Sequence, residues 1–180
     1  MTPAAKLAAA IEVLEALEAD RRPAGDALKA WGLAHRFAGS GDRAGIAGLV
    51  YDALRRRASS AHLMGAETPR AILLGMLKRE RGLDTDAISK LADGSNYGPA
   101  ALSDDERARL DANDMTGAAP HVVGDYPEWL DEHFERAFGK DRGAEGEALA
   151  SRAPVDLRVN ALKSEPDRTA SMIDDLKPSR

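Results

Sequence analysis

The sequence predicts a mainly α fold: a helical bundle followed by the start of a small α/β segment. Three observations carry this expectation. Ala, Leu, Arg and Glu dominate the chain, and these residues favour helix. Apolar residues recur at three- and four-residue spacing in stretch after stretch. β-branched residues are sparse, and only Asp156-Leu157-Arg158-Val159-Asn160 alternates polar and apolar as a half-buried strand does. Because 43% of residues are hydrophobic but only 4% are aromatic, Leu, Ile, Val, Met and Ala must fill the core.

Thr2-Pro3 opens the first helix, with a hydroxyl at the N-cap and proline at the first helical position. Leu7, Ile11, Leu14 and Leu17 then form one apolar stripe, to about Asp20. Pro23 restarts the chain, and a second helix carries Ala27, Leu28, Trp31 and Ala34 toward an end near Phe37. Gly39-Ser40-Gly41 is the stop. A third helix is expected from about Asp42 to Arg57, with Ile46, Leu49, Val50, Ala53 and Leu54 inward. Thr68-Pro69 repeats the opening signature ahead of Ile72, Leu73, Met76 and Leu77, and Gly82 closes that helix. Asp84 caps a short helix through Leu91. These elements make residues 1–92 a helical domain.

Residues 93–125 read as a polar connecting segment, with two loops around a short polar helix. Ser103-Asp104-Asp105-Glu106 is a capping box for that helix. Residues 126–180 read as an incomplete α/β segment. It holds a helix from Pro127 with Trp129, Leu130, Phe134 and Ala137 on one face, a helix over 143–152, the strand 156–160, and a last helix from Glu165-Pro166 with Met172, Ile173 and Leu176 inward. One strand and one helix cannot complete a sheet, so the chain is expected to be the front part of a larger protein.

Charge is unevenly spread. The net charge of −5 argues against indiscriminate nucleic-acid binding. Residues 1–100 nevertheless carry 14 Lys/Arg against 12 Asp/Glu, while residues 101–180 carry 11 against 18. Asp20–Ser60 is the most basic stretch and the first candidate for RNA contact. Within it, Arg55 and Arg56, joined by Arg21 and Arg22 from the preceding turn, suit forked hydrogen bonds to phosphates, with a solvated helix face whose stems cover core edges as the alternative.

Other chemistry is poorly supplied. The chain has no cysteine, which removes disulfides, thiolate zinc sites and a cysteine nucleophile. His35, His62, His121 and His133 show no metal-binding spacing. His133 shares a helix face with Trp129 and Ala137 and is expected to be a partly buried packing residue. Gly39, Gly41 and Gly45 superficially resemble a dinucleotide fingerprint, but a helix precedes them where that motif needs a strand. Asp111, Asn113 and Asp114 lack the glycine and glutamate of a calcium loop. The N-terminus has no signal-peptide pattern, and no apolar run approaches the ~18 residues of a membrane span. A cytoplasmic protein with no membrane partner is expected.

Arg158 and Asn160 would share one face of the expected strand, with Leu157 and Val159 on the other. Spacing alone favours a structural role for the pair, such as orienting a turn, with a nucleotide contact as the alternative.

Three segments taken in order carry a family resemblance. Ser40-Gly41-Asp42-Arg43 through Leu49-Val50-Tyr51-Asp52-Ala53-Leu54-Arg55 resembles the N-terminal domain of the Fmu/Sun-type (RsmB-like) 16S ribosomal RNA (cytosine-C5) methyltransferases. Tyr126-Pro127-Glu128-Trp129-Leu130 resembles that family's Pro-x-Trp-Leu helix opening, and Leu157-Arg158-Val159-Asn160-Ala161-Leu162-Lys163 its Leu-Arg-Val-Asn-x-x-Lys strand. The resemblance implies a NusB-like helical bundle over 1–92 and an α/β RNA-recognition segment, followed in the whole enzyme by a Rossmann-like catalytic domain that binds S-adenosylmethionine. That domain, with its cysteine nucleophile, is absent from this chain. The implied activity belongs to the parent enzyme, and no catalytic, cofactor or metal residue transfers to these residues. The implied partners are small-subunit ribosomal RNA and the chain's own catalytic domain. Arg43, Arg55, Arg158, Asn160 and Lys163 are the positions that match family motifs. Together with Arg21, Arg22 and Arg56 they are the candidate RNA contacts. The alternative is a NusB-like protein-interaction module, its acidic second half suited to a basic ribosomal protein or a transcription partner.

Overall fold

The computed structural model describes residues 1–153 and 158–172. Their helices are α1 (Pro3–Asp20), α2 (Ala24–Ala34), α3 (Ser40–Arg55), α4 (Arg57–Met64), α5 (Pro69–Arg79), α6 (Thr85–Leu91), α7 (Asp104–Ala112), α8 (Pro120–Val123), α9 (Asp131–Phe138), α10 (Arg142–Ala150) and α11 (Pro166–Ala170). Single 3-10 turns, Glu128–Leu130 and Gly139–Asp141, lead into α9 and α10. There is no strand among the described residues, and none of their helices is long and apolar enough to cross a membrane.

Local chemistry starts these helices where the residues direct. The hydroxyls of Thr2 and Thr68 accept from the backbone N–H of Ala5 at 3.1 Å and of Ala71 at 3.3 Å. The Asp84 carboxylate accepts from Ala87 at 2.7 Å. The capping box is complete: Glu106 N–H donates to the Ser103 hydroxyl at 3.2 Å, and Ser103 N–H donates to the Glu106 carboxylate at 2.9 Å. Each satisfies backbone donors that the first turn leaves without partners.

The core lies between α1, α3, α4 and α5. Helix α5 runs through its middle, and every residue from Ala71 to Leu77 is buried. Leu7 and Val13 of α1, Ile46 and Val50 of α3, and Ile88 of α6 close around it. Helix α4 crosses α5 very closely. A Cβ placed on Gly75 would sit 2.7 Å from the Cα, Cβ and carbonyl oxygen of Ser60. Two small residues therefore let the backbones approach, and Ser59 and Ser60 are fully buried.

Four features differ from the sequence expectation. The third helix ends at Arg55, not Arg57, and Arg56 (φ −110°, ψ 28°) turns the chain into the separate helix α4. Residues 93–125, expected to be a polar connection, place Leu102 and Leu110 in the bundle core and include the short helix α8. Of the expected strand, Asp156 and Leu157 lie outside the described residues, and Arg158–Asn160 have no regular secondary structure. Asn160 instead begins a turn, its side-chain oxygen accepting from Leu162 N–H at 3.0 Å and its carbonyl from Lys163 N–H at 2.9 Å. Met172, expected inward, is exposed, while Ile173 and Leu176 lie outside the described residues.

Helices α8, α9 and α10 gather around Tyr126. Its ring stacks on Phe134 at 4.1 Å and lies against Gly124 and Gly146, where any side chain would collide with it. The Tyr126 hydroxyl donates to Asp131 at 2.7 Å, and Arg142 donates to the same oxygen at 3.1 Å. The Tyr126 hydrogen bond, reinforced by Arg142, holds the Asp131 carboxyl below its usual value. Burial, with the Asp131 charge beside it, pushes the Tyr126 phenol up to about 12.

Candidate nucleic-acid interface

The candidate cations divide by what surrounds them. Arg56 is buried. Its Nε donates to Glu80 at 2.7 Å, Nη1 to the Glu147 carbonyl and Nη2 to the Ser151 hydroxyl, each at 3.3 Å, and Nη1 lies 3.8 Å from Asp125. All three nitrogens are engaged inside the protein, so Arg56 is a joint between the bundle and α10, not an exposed phosphate ligand. Charges this deep are retained only when paired and hydrogen-bonded.

Asp125 is the matching anion. Its side chain is 1% exposed and accepts from the Ser59 N–H at 2.8 Å and the Ser59 hydroxyl at 2.6 Å. Its backbone takes a positive φ of 54°, which few residues other than glycine adopt. Burial raises its carboxyl pKa above the usual value, against the opposing pull of the Ser59 bonds and the Arg56 charge.

Arg55 is committed as well. It pairs with Asp52, which is buried and also takes Arg81 from the end of α5. Arg22 pairs with Asp20 at 3.1 Å on the exposed α1–α2 turn, a contact worth well under about 1 kcal/mol and easily exchanged for another anion. Arg21 is exposed at the left-handed C-cap of α1 (φ 51°). Arg43 donates from Nε to the Ala38 carbonyl at 2.9 Å, and its guanidinium lies across α2 within 3.3 Å of the Cβ position of Gly32.

Among the described residues, Arg21 and Arg43 have no carboxylate within salt-bridge range. Two cations missed in the sequence share this condition: Lys29 on α2 and Arg36 just beyond it. Lys29 lies on α2, and Arg36 lies in the turn that follows, after His35 (φ −111°, ψ 65°) has ended the helix. By contrast, Arg55, Arg56, Arg57, Arg70, Arg79 and Arg81 all pair with carboxylates. The basic balance of residues 20–60 is thus neutralised at Arg55, Arg56 and Arg57, where α3 meets α4, and left open at Arg21, Lys29, Arg36 and Arg43. No spacing signal joins Lys29 and Arg36, because the helix ends between them.

Arg158, Asn160 and Lys163 are all exposed and fall on or beside the Asn160 turn. Among the described residues, the hydrogen bonds of 158–172 stay within that stretch. The structure therefore brings Arg21, Lys29, Arg36 and Arg43 to the α1–α2–α3 region and leaves the third motif as its own polar turn. His133, expected to be partly buried, is exposed on α9. Trp129 is also exposed, because the 3-10 turn at Glu128–Leu130 changes the register ahead of α9.

The Gly39-Ser40-Gly41 turn does not have the setting of a methyl-donor loop. Gly39-Ser40-Gly41 follows α2, whereas a nucleotide-type glycine loop follows a strand. Compared with known proteins, the chain matches no protein-family model, no curated protein and no solved structure.

Proposed function

We propose that these residues are the noncatalytic RNA-recognition region of an S-adenosylmethionine-dependent ribosomal RNA (cytosine-C5) methyltransferase, with a NusB-like bundle as its first part. The observation that carries the RNA reading is the cluster of cations without carboxylate partners around α2: Arg21, Lys29, Arg36 and Arg43, among the described residues. The three ordered sequence motifs supply the family. In this reading the α2 cations hold the backbone of small-subunit ribosomal RNA, and the Arg158–Lys163 turn lies closer to the target base. Phosphate contacts position the RNA; selection and methyl transfer belong to the catalytic domain, which also holds the methyl donor.

The test is binding to a small-subunit ribosomal RNA fragment across a range of salt concentrations. Affinity should fall steeply as salt rises, because each neutralised phosphate releases counterions. A salt-insensitive signal, or none, overturns the reading.

A second reading, a protein-interaction module, draws on two exposed apolar side chains. Trp129 and Leu149, from the α9–α10 unit, are 73% and 69% exposed, and outlying aromatics of this kind are typical anchors for a partner. A pull-down of a basic ribosomal protein that survives ribonuclease treatment, and is lost in Trp129→Ala, supports this reading over the first.

A further inference from the structure

Aromatic side chains are few in this chain, eight Phe, Trp and Tyr in all. Three of them, Trp31, Phe37 and Tyr97, line one cleft of about 380 Å³ together with His35. Trp31 and His35 are stacked, with ring centroids 4.3 Å apart and planes 18° from parallel. Phe37 meets His35 edge-on at 5.7 Å. The Trp31 indole is held in place by donating to the Glu12 carboxylate at 2.9 Å. The methyl groups of Ala5, Ala8 and Ala9 complete the wall together with the Glu12 side chain.

The two rim rings are not packing residues. Phe37 is 73% exposed and Tyr97 is 77% exposed. Neither helps fill the core, and both lie on loops: the α2–α3 turn and the stretch before α7. An apolar slot with flat faces and two open rings suits a flat heteroaromatic guest. The surrounding charge selects its class. Arg36 lies in sequence between His35 and Phe37, and the Arg43 guanidinium covers Gly32, next to Trp31. Neither has a carboxylate partner among the described residues. Glu12 also lines the cleft, but its carboxylate accepts from the Trp31 indole and stands 3.9 Å from His35 Nε2, so Arg36 and Arg43 are the flanking charges left for a phosphate.

We infer that this cleft receives one unpaired nucleobase of single-stranded RNA, stacked on the exposed Phe37 and Tyr97 rings, with flanking phosphates on Arg36 and Arg43. The inference rests on the RNA-recognition reading and adds a site that reads strandedness: only a base free of its partner can enter.

The experiment measures binding of fluorescent octacytidylate by anisotropy to the wild type, Phe37→Ala and Tyr97→Ala. Stacking predicts that each variant binds on the order of tenfold more weakly, with an unchanged salt slope, because the lost contact is to a base. An abasic octamer should bind the wild type about as weakly as octacytidylate binds the variants. In a Trp129→Phe background, octacytidylate should quench Trp31 emission. Both substituted rings are exposed, so melting temperatures should match the wild type. If the wild type binds octacytidylate and both variants bind it equally well, the cleft assignment falls while the RNA reading stands. If the wild type binds no RNA, both fall. Preferential uptake of a trimethyllysine peptide would reassign the cleft as a cation cage and overturn the inference.

Discussion

Asp125 and Ser59, 66 residues apart, are joined by two hydrogen bonds to one carboxylate, from a backbone N–H at 2.8 Å and from a hydroxyl at 2.6 Å. The pair fixes α4 to the segment that leads into α9. Asp125→Ala removes both acceptors and leaves Arg56 with one fewer anion, and it should cost about 3 kcal/mol in urea unfolding. Asp125→Asn keeps one acceptor and the shape, and should cost about 1 kcal/mol.

The same carboxylate sets a pH dependence. Its folded pKa lies above the unfolded value because of burial, so the native state binds the proton more tightly. The stability this contributes is fully present below the ordinary carboxylate pKa and is lost as pH rises through the folded one. The stability of the wild type relative to Asp125→Asn should therefore decline as pH is raised through the acidic range. A difference that grows with pH would contradict this assignment.

Tyr126 provides a second titration, at the alkaline end. Ultraviolet titration should show one tyrosine ionising at about 12, and Tyr126→Phe should remove that component. Because the folded value is raised, its contribution to stability is present below the ordinary tyrosine pKa and lost as pH approaches about 12. The substitution also removes the bond to Asp131, at a cost of about 1 kcal/mol near neutrality.

Gly75 and Gly48 should respond to alanine with opposite signs. Alanine is favoured over glycine in a helix interior by about 1 kcal/mol. At Gly48 the added methyl meets only Arg81, at an ordinary 3.8 Å, so that gain should appear in thermal unfolding. At Gly75 it meets Ser60 backbone at 2.7 Å. Overpacking costs about 1–3 kcal/mol and exceeds the propensity gain at so close a contact, so Gly75→Ala should lower the melting temperature.

The arginines should separate by function. Arg56→Ala breaks a buried, multiply bonded cation and should cost about 3–5 kcal/mol in unfolding. Arg21→Ala and Arg36→Ala should change stability by less than about 0.5 kcal/mol while each lowers the salt slope of RNA binding by about one. Loss of RNA affinity without a change in slope would contradict the phosphate role.

What could be read from the sequence was local. Thr2, Thr68, Asp84 and Ser103 cap helices through partners three residues away, and residue type at that distance determines the bond. The break between α3 and α4 was hidden, because Arg55-Arg56-Arg57 contains no glycine or proline and reads as continuous helix. Arg56 is anchored there by Glu80 and Ser151, 24 and 95 residues away. Counting cations joined Arg55 and Arg56 with Arg21 and Arg22, but only the fold shows which carboxylates neutralise the first two. Phe37 and Tyr97 were equally invisible as a pair, since they lie 60 positions apart and meet only when α2 and the loop before α7 pack on α1.

The guanidinium of Arg56 ties the end of α5, the last turn of α10 and the approach to α9 to a single point. Such a knot makes the molecule lose its order as one cooperative unit instead of shedding its second half first. In native-state hydrogen exchange, protected amides of α10 should therefore open together with those of α5, and local fraying should be confined to chain ends and outer loops.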